Sequence, residues 1–185
     1  MSTDADKVAQ AEDVLAFWRE AGPDRWFAKD DAFDAEIREK FLGLYEAASV
    51  GQLDHWSATA EGALALVIVL DQFPRNMFRG SARTFAADAR ARAAANIALK
   101  RGYDQDLPEA ERGFLFLPFM HSEDLADQIR CVALYHAAGD ANLSYAEQHR
   151  DIIRRFGRFP HRNAVLGRET TPEEQAFLDD GGFKG

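Results

Sequence analysis

A single cysteine, Cys131, is all the chain contains. No intrachain disulfide can form, and nothing in the sequence points to an oxidising compartment. Runs of alternating β-branched residues bounded by turns are missing, so a sheet has no source. No apolar stretch approaches the roughly 18 residues that cross a bilayer. The opening Met1-Ser2-Thr3-Asp4-Ala5-Asp6 is acidic and polar, without the basic and then apolar order of a secretory signal. These absences predict a cytoplasmic protein that makes no membrane contact. Lysine is scarce as well, at five residues against 17 arginines.

The charge balance narrows the partners. A net charge of −9 and a pI near 5.0 disfavour a nucleic-acid binder held by broad electrostatics. The arginines are nevertheless clustered: 150, 154, 155, 158, 162 and 168 fall in a stretch with one acid, Asp151, and six more lie between Arg75 and Arg101. An acidic chain with two local arginine groups fits a confined anion site better than a polyanion track, although solvated helix faces paired with acids account for most of these side chains. At 185 residues and 20.7 kDa, of which 46% are hydrophobic, the chain fits a single domain, 1–185. A compact fold of that length buries roughly 70% of its unfolded surface. The Gly-rich end, 180–185, is expected to form a flexible tail.

Hydrophobic spacing predicts an all-α protein of about eight packed helices joined by short turns. Val8, Val14, Leu15, Phe17 and Trp18 place a helix over 5–20, stopped by Gly22-Pro23. Phe33, Ile37, Phe41, Leu44 and Tyr45 place a second, capped by Asp30 or Asp31 and ending near Ser49. Thr59 caps a third, which is apolar on every side from Ala63 to Leu70 and therefore belongs inside. Pro74 ends that helix near Phe73, leaving Arg75 and Arg79 beyond its C-terminus. An Ala-rich helix follows over 84–101, with Gly102 at its end. Pro108 opens the next, running into Phe114-Leu115-Phe116-Leu117. Ser122 caps a helix to Ala138, the Ser144 to Glu147 capping box opens one to Phe156, and Thr171-Pro172-Glu173-Glu174 opens a short last helix to Leu178. Some helix pairs recur at intervals compatible with tetratricopeptide-like packing, without a consensus repeat.

Three of these helices run from apolar sequence into bursts of polar side chains. The first burst is Asp71, Gln72, Arg75 and Asn76; the second His121, Ser122 and Glu123; the third Arg158, His161, Arg162 and Asn163. Arginine forks bind carboxylate or phosphate in a bidentate way, and asparagine amides orient the remaining ligand oxygens. The expectation is that Asp71, Gln72, Arg75, Asn76, Arg158, Arg162 and Asn163 line one pocket for a small anionic molecule. His121 or His161 would then act as general acid or base, oriented by Glu123 or Asp71. The competing structural reading pairs Asp71 and Glu123 with Arg75, Arg158 or Arg162 as latches between helix ends. A metal site on His121, Glu123 and His161 lacks the i, i+4 histidine pair of helical zinc enzymes, and none is assigned. Ser122 reads as a cap, Cys131 as a small core residue, and Trp18, Trp26 and Phe33 as core. His55, His136 and His149 carry no partner pattern. The sequence does not specify a cofactor.

Several of these stretches together resemble a known family. They are Phe17-Trp18; Trp26-Phe27 with Phe33-Asp34 and Ile37; Leu70-Asp71-Gln72-Phe73-Pro74-Arg75-Asn76 with Arg79-Gly80; Pro118-Phe119-Met120-His121-Ser122-Glu123; and Arg155-Phe156-Gly157-Arg158-Phe159-Pro160-His161-Arg162-Asn163. Their order over residues 14 to 178 is similar to the bacterial family catalogued as domain of unknown function 924. The resemblance implies an all-helical, tetratricopeptide-like fold and supplies no reaction. The alternative function is a non-enzymatic scaffold that binds a peptide or protein partner. Oligomeric state is not encoded in any pattern of the chain.

Overall fold

A computed structural model describes the backbone of residues 4–183 and the side chains of residues 11–183. The expected contribution of Val8 to the core, and Lys184-Gly185 of the expected tail, lie outside the described residues. Every regular element among the described residues is a helix. The described chain falls into two compact units, one comprising residues up to Arg79 together with 83–118, the other 80–82 together with residues from Phe119 onward.

The first unit is built around the segment with the densest apolar sequence. All eight residues of Ala63 to Leu70 are at most 1% exposed, as helical apolarity on every side requires. Thr59 starts the Ala60–Val67 helix by accepting the Gly62 N–H. The expected stop at Phe73 does not occur. Proline has no N–H and its ring collides with the carbonyl four residues earlier, so an α-helix cannot run through it undistorted. Here the helix widens into a π turn over Ile68–Gln72, with the Phe73 N–H bonded to the Ile68 carbonyl. It then continues as Phe73–Met77 with Pro74 inside it. Arg75 consequently lies within the helix rather than beyond it.

Neighbouring helices wrap this rod. Asp30 caps Asp31–Ser49 by accepting from the Ala32 and Phe33 N–H groups. Phe41 stacks on Phe73 with ring centroids 4.9 Å apart, and Phe17 of Asp4–Ala21 meets Phe41 edge-on at 5.0 Å. The Trp26 indole donates to the Trp18 carbonyl at 2.6 Å. The Ala-rich helix begins four residues later than its composition suggests: a 3-10 turn over Ala82–Phe85 precedes Asp88–Lys100. The expected single helix after Pro108 is also broken, into Glu109–Arg112 and a 3-10 turn at Gly113–Leu115. Aromatic packing decides this, since Phe114 turns in to meet Trp26 at 4.9 Å and Trp18 at 5.7 Å.

The second unit is a pair of packed helices, Leu125–Ala138 and Leu143–Phe156, followed by a bent strap and the Pro172–Asp179 helix. Gly139 and Gly157 end the first two in left-handed geometry, at φ 64° and 71°, where a side chain would be strained. Two expected caps are displaced. Asp124, not Ser122, caps Leu125–Ala138. The Ser122 hydroxyl instead accepts the Asp124 N–H and donates to Asp127, while Gln128 donates to the Met120 and Ser122 carbonyls and holds that segment out of the helix. The helix expected to open at Ser144 starts at Leu143 without a side-chain cap. The box at Thr171 forms as expected, with Glu174 closing it.

Candidate functional site

In the first unit the polar motif sits in the wall of the rod. Asp71 is fully buried and Gln72 is 5% exposed, and the Gln72 amide donates to Asp71 Oδ2 at 2.6 Å. Arg75 Nη1 donates to the Asp71 carbonyl at 2.6 Å and lies 3.4 Å from Asp71 Oδ1. The same guanidinium donates through both Nη atoms to Asp88, at 3.1 and 3.3 Å, in the first turn of Asp88–Lys100 where a carboxylate is favoured by the helix dipole. Burial opposes the Arg75 charge, yet Asp71 and Asp88 raise its pKa further. Asn76 turns to a different neighbour. Its amide donates to Asp34 Oδ1 at 2.7 Å, and Arg79 holds both Asp34 oxygens. The burst thus divides, with Asp71, Gln72 and Arg75 joined to one helix and Asn76 to another.

In the second unit two carboxylates gather the strap. Glu123 receives both Nη atoms of Arg168, at 2.7 and 2.9 Å, and the Phe159 N–H at 2.8 Å. Burial works against its charge, but Arg168 and the Phe159 amide outweigh it and hold the carboxyl below the usual range. Glu174 is 3% exposed and receives four donors: Arg158 Nε at 2.6 Å, Arg158 Nη2 at 2.9 Å, Asn163 Nδ2 at 3.1 Å and the Thr171 N–H at 2.8 Å. Arg158 is the main reason its pKa drops to about 2. Arg168 also donates to Asn163 Oδ1 and to the Phe159 carbonyl, tying the two carboxylate centres together.

The remaining expected residues go elsewhere. Arg162 Nη2 donates to the His121 carbonyl at 3.0 Å, and its guanidinium lies 4.6 Å from the Phe159 ring centre. His161 packs on Phe159 and Phe183 at 5.7 and 5.2 Å, with its buried Nδ1 unbonded. Burial, then the nearby Arg162, pushes its pKa down to about 4, so at neutral pH the ring is uncharged. Of the residues assigned to the pocket, Arg158 and Asn163 meet on Glu174, while the candidate acid or base His161 lies in an aromatic cluster.

Arg158, Arg168, Glu169, Thr170, Thr171 and Pro172 line an open recess of about 580 Å³. The Arg158 and Arg168 side chains are 28% and 23% exposed. Arg158 Nη1 bonds to nothing among the described residues. Asp34, Asp88, Arg168 and Glu174 had no place in the sequence-based site, although Arg168 belongs to the arginine cluster and Glu174 to the Thr171 capping box. Among the described residues, no group of three or more His, Cys, Asp and Glu side chains is placed to hold a metal ion. None of their helices is long and apolar enough to cross a membrane.

Comparison with known proteins places this geometry in context. The family model described as a bacterial protein of unknown function, DUF924, matches residues 14–182. A solved structure described as a protein of unknown function, ATU0120 from Agrobacterium tumefaciens, is 50% identical, with a TM-score of 0.93 over 95% of this chain and 100% of the other. No curated protein matches the chain.

Proposed function

The chain belongs to the DUF924 family of bacterial proteins of unknown function, and for this member we propose binding of a small carboxylate- or phosphate-bearing molecule in the recess between Arg158, Arg168 and Thr170–Pro172. The observation that carries the reading is the recess itself, which has the size of a small-molecule site. One guanidinium on its wall keeps a nitrogen, Arg158 Nη1, without an acceptor among the described residues. Thr170 and Thr171 line the same wall, their hydroxyls accepting from Asn163 Nδ2 and the Glu174 N–H. A bound anion adds to Arg158 without displacing Glu174, whose low pKa expresses how firmly that carboxylate is held. Because Glu123 and Glu174 already neutralise two arginines and Glu169 lines the recess, the local charge favours anions only modestly. Weak binding at low ionic strength is the expected regime.

The reading divides the motif residues by role. Asp71, Gln72, Arg75 and Asn76 brace helices of the first unit. Glu123, Arg162 and Asn163 hold the strap that carries Arg158 and Arg168 in place. Neutral His161, packed among aromatic rings, is given no proton-transfer step.

Titration with inorganic phosphate and with succinate, followed by amide chemical shifts, tests the reading. Saturable shifts at Thr170, Thr171 and Glu173 that chloride at equal ionic strength does not produce, and that Arg158→Gln removes, are expected. Shifts that never saturate, or that chloride reproduces, would refute it.

A further inference from the structure

His149 and His161 meet on one aromatic ring that lies outside all three polar bursts. Phe183, just beyond the Pro172–Asp179 helix, packs edge-on against His149 at 4.5 Å and His161 at 5.2 Å between ring centres. Both imidazoles also lie on Phe159, at 5.6 and 5.7 Å. Phe183 packs against a core of Ile152, Ile153 and Phe159 together with Phe156 and Phe177. An apolar nest of this kind holds a neutral imidazole and rejects an imidazolium.

The charged surroundings make protonation harder still. His149, 7% exposed, donates through Nδ1 to the Tyr145 carbonyl and faces His121 and Arg162. His161 faces Arg162, His149 and Arg168, with Glu123 as the acidic group that opposes them. That carboxylate is already committed to Arg168 and the Phe159 amide. A proton on either ring therefore enters a site that faces the Arg162 guanidinium, and at His161 that of Arg168 as well.

We propose that Phe183 and its two histidines form an acid-released latch, in which protonation of His149 or His161 expels the Phe183 ring and frees the segment after the Pro172–Asp179 helix.

The direction follows from linkage. Both histidines have pKa values lowered from 6.5 to about 4 with the ring in place, burial being the main cause. A group depressed in the closed form and ordinary in the open form leaves the latch at full strength above pH 6.5. Closure weakens as pH falls from 6.5 towards 4 and changes no further below that. The difference in proton affinity corresponds to an upper limit of about 300-fold per histidine in the closed-to-open ratio.

Histidine-selective NMR tests this on the whole chain. Cross-peaks between the Phe183 ring and both imidazoles are expected at pH 7.5 and lost by pH 5, while the Trp26 indole N–H signal stays, showing that the first unit remains folded. Phe183→Ala should raise both histidine pKa values towards 6.5. In His149→Phe/His161→Phe, which keeps aromatic rings in both places, Phe183 should stay docked at pH 5. Cross-peaks that persist while both rings titrate would overturn the latch, as would their loss only together with the Trp26 signal or unchanged pKa values in Phe183→Ala.

Discussion

Replacing Glu174 by glutamine tests whether one carboxylate holds the strap of the second unit. Four donors converge on it: Arg158 Nε, Arg158 Nη2, Asn163 Nδ2 and the Thr171 N–H. A glutamine amide has nearly the same shape but offers one accepting oxygen and turns an NH₂ towards donors. At least two of the four bonds are lost, each charge-assisted bond being worth about 1.5–3 kcal/mol. Arg158, 28% exposed, recovers part of its loss from water, which brings the net cost to about 2–4 kcal/mol. For a chain of this length that lowers Tm by about 4–16 °C. The pH dependence carries a sign as well. Glu174 has its pKa depressed to about 2, chiefly by Arg158, so its contribution is complete above the ordinary glutamate range near 4.5 and is lost as pH falls towards 2. Urea unfolding of both proteins between pH 8 and 3 should show a constant gap down to about pH 4.5 and a narrowing one below. A gap under about 1 kcal/mol at pH 7, or one that widens on acidification, would refute the assignment. Because the substitution also releases Arg158 Nε and Nη2, it should tighten phosphate binding if the recess is the anion site.

Gly62→Ala should destabilise by about 3 kcal/mol, measured by denaturant unfolding, because a Cβ there would overlap the Trp56 carbonyl oxygen and crowd Thr59 Oγ1. Cys131 is fully buried, and burial pushes its thiol pKa up to about 12. Iodoacetamide at pH 8 should therefore leave it unmodified in the native protein and label it in urea, as mass spectrometry would show. Arg168→Lys should cost about 2–4 kcal/mol in thermal or chemical unfolding, since an ammonium cannot reproduce the paired bonds to Glu123 together with those to Asn163 and Phe159.

What could be read from the sequence divides along the range of the forces involved. Thr59, Asp30, Thr171, Gly139 and Gly157 act on groups within a few residues, and each does in the structure what its position implies. The burial of Ala63 to Leu70 follows equally directly from composition. Local rules fail where two of them compete. Ser122 and Asp124 both suit an N-cap, and Gln128 decides between them by fastening the carbonyls at 120 and 122. Pro74 is a helix breaker whose effect the preceding π turn absorbs, and nothing in the residue types at 68–72 announces that turn. Ion-pair partners are the least legible. Glu123 and Arg168 are 45 residues apart, as are Asp34 and Arg79, and with 31 acids in the chain no spacing rule selects a partner. The preference for arginine over lysine, by contrast, was visible and its meaning becomes physical once the partners are known. Arg75, Arg158 and Arg168 each serve two or more acceptors from one planar group. A lysine placed there would keep the charge and lose the fixed geometry that lets one side chain join a carboxylate to a backbone carbonyl. The arginine clusters of this acidic chain are thus first a means of fixing segments to one another, and the ligand site proposed above rests on one such fork, Arg158, whose Nη1 has no acceptor among the described residues.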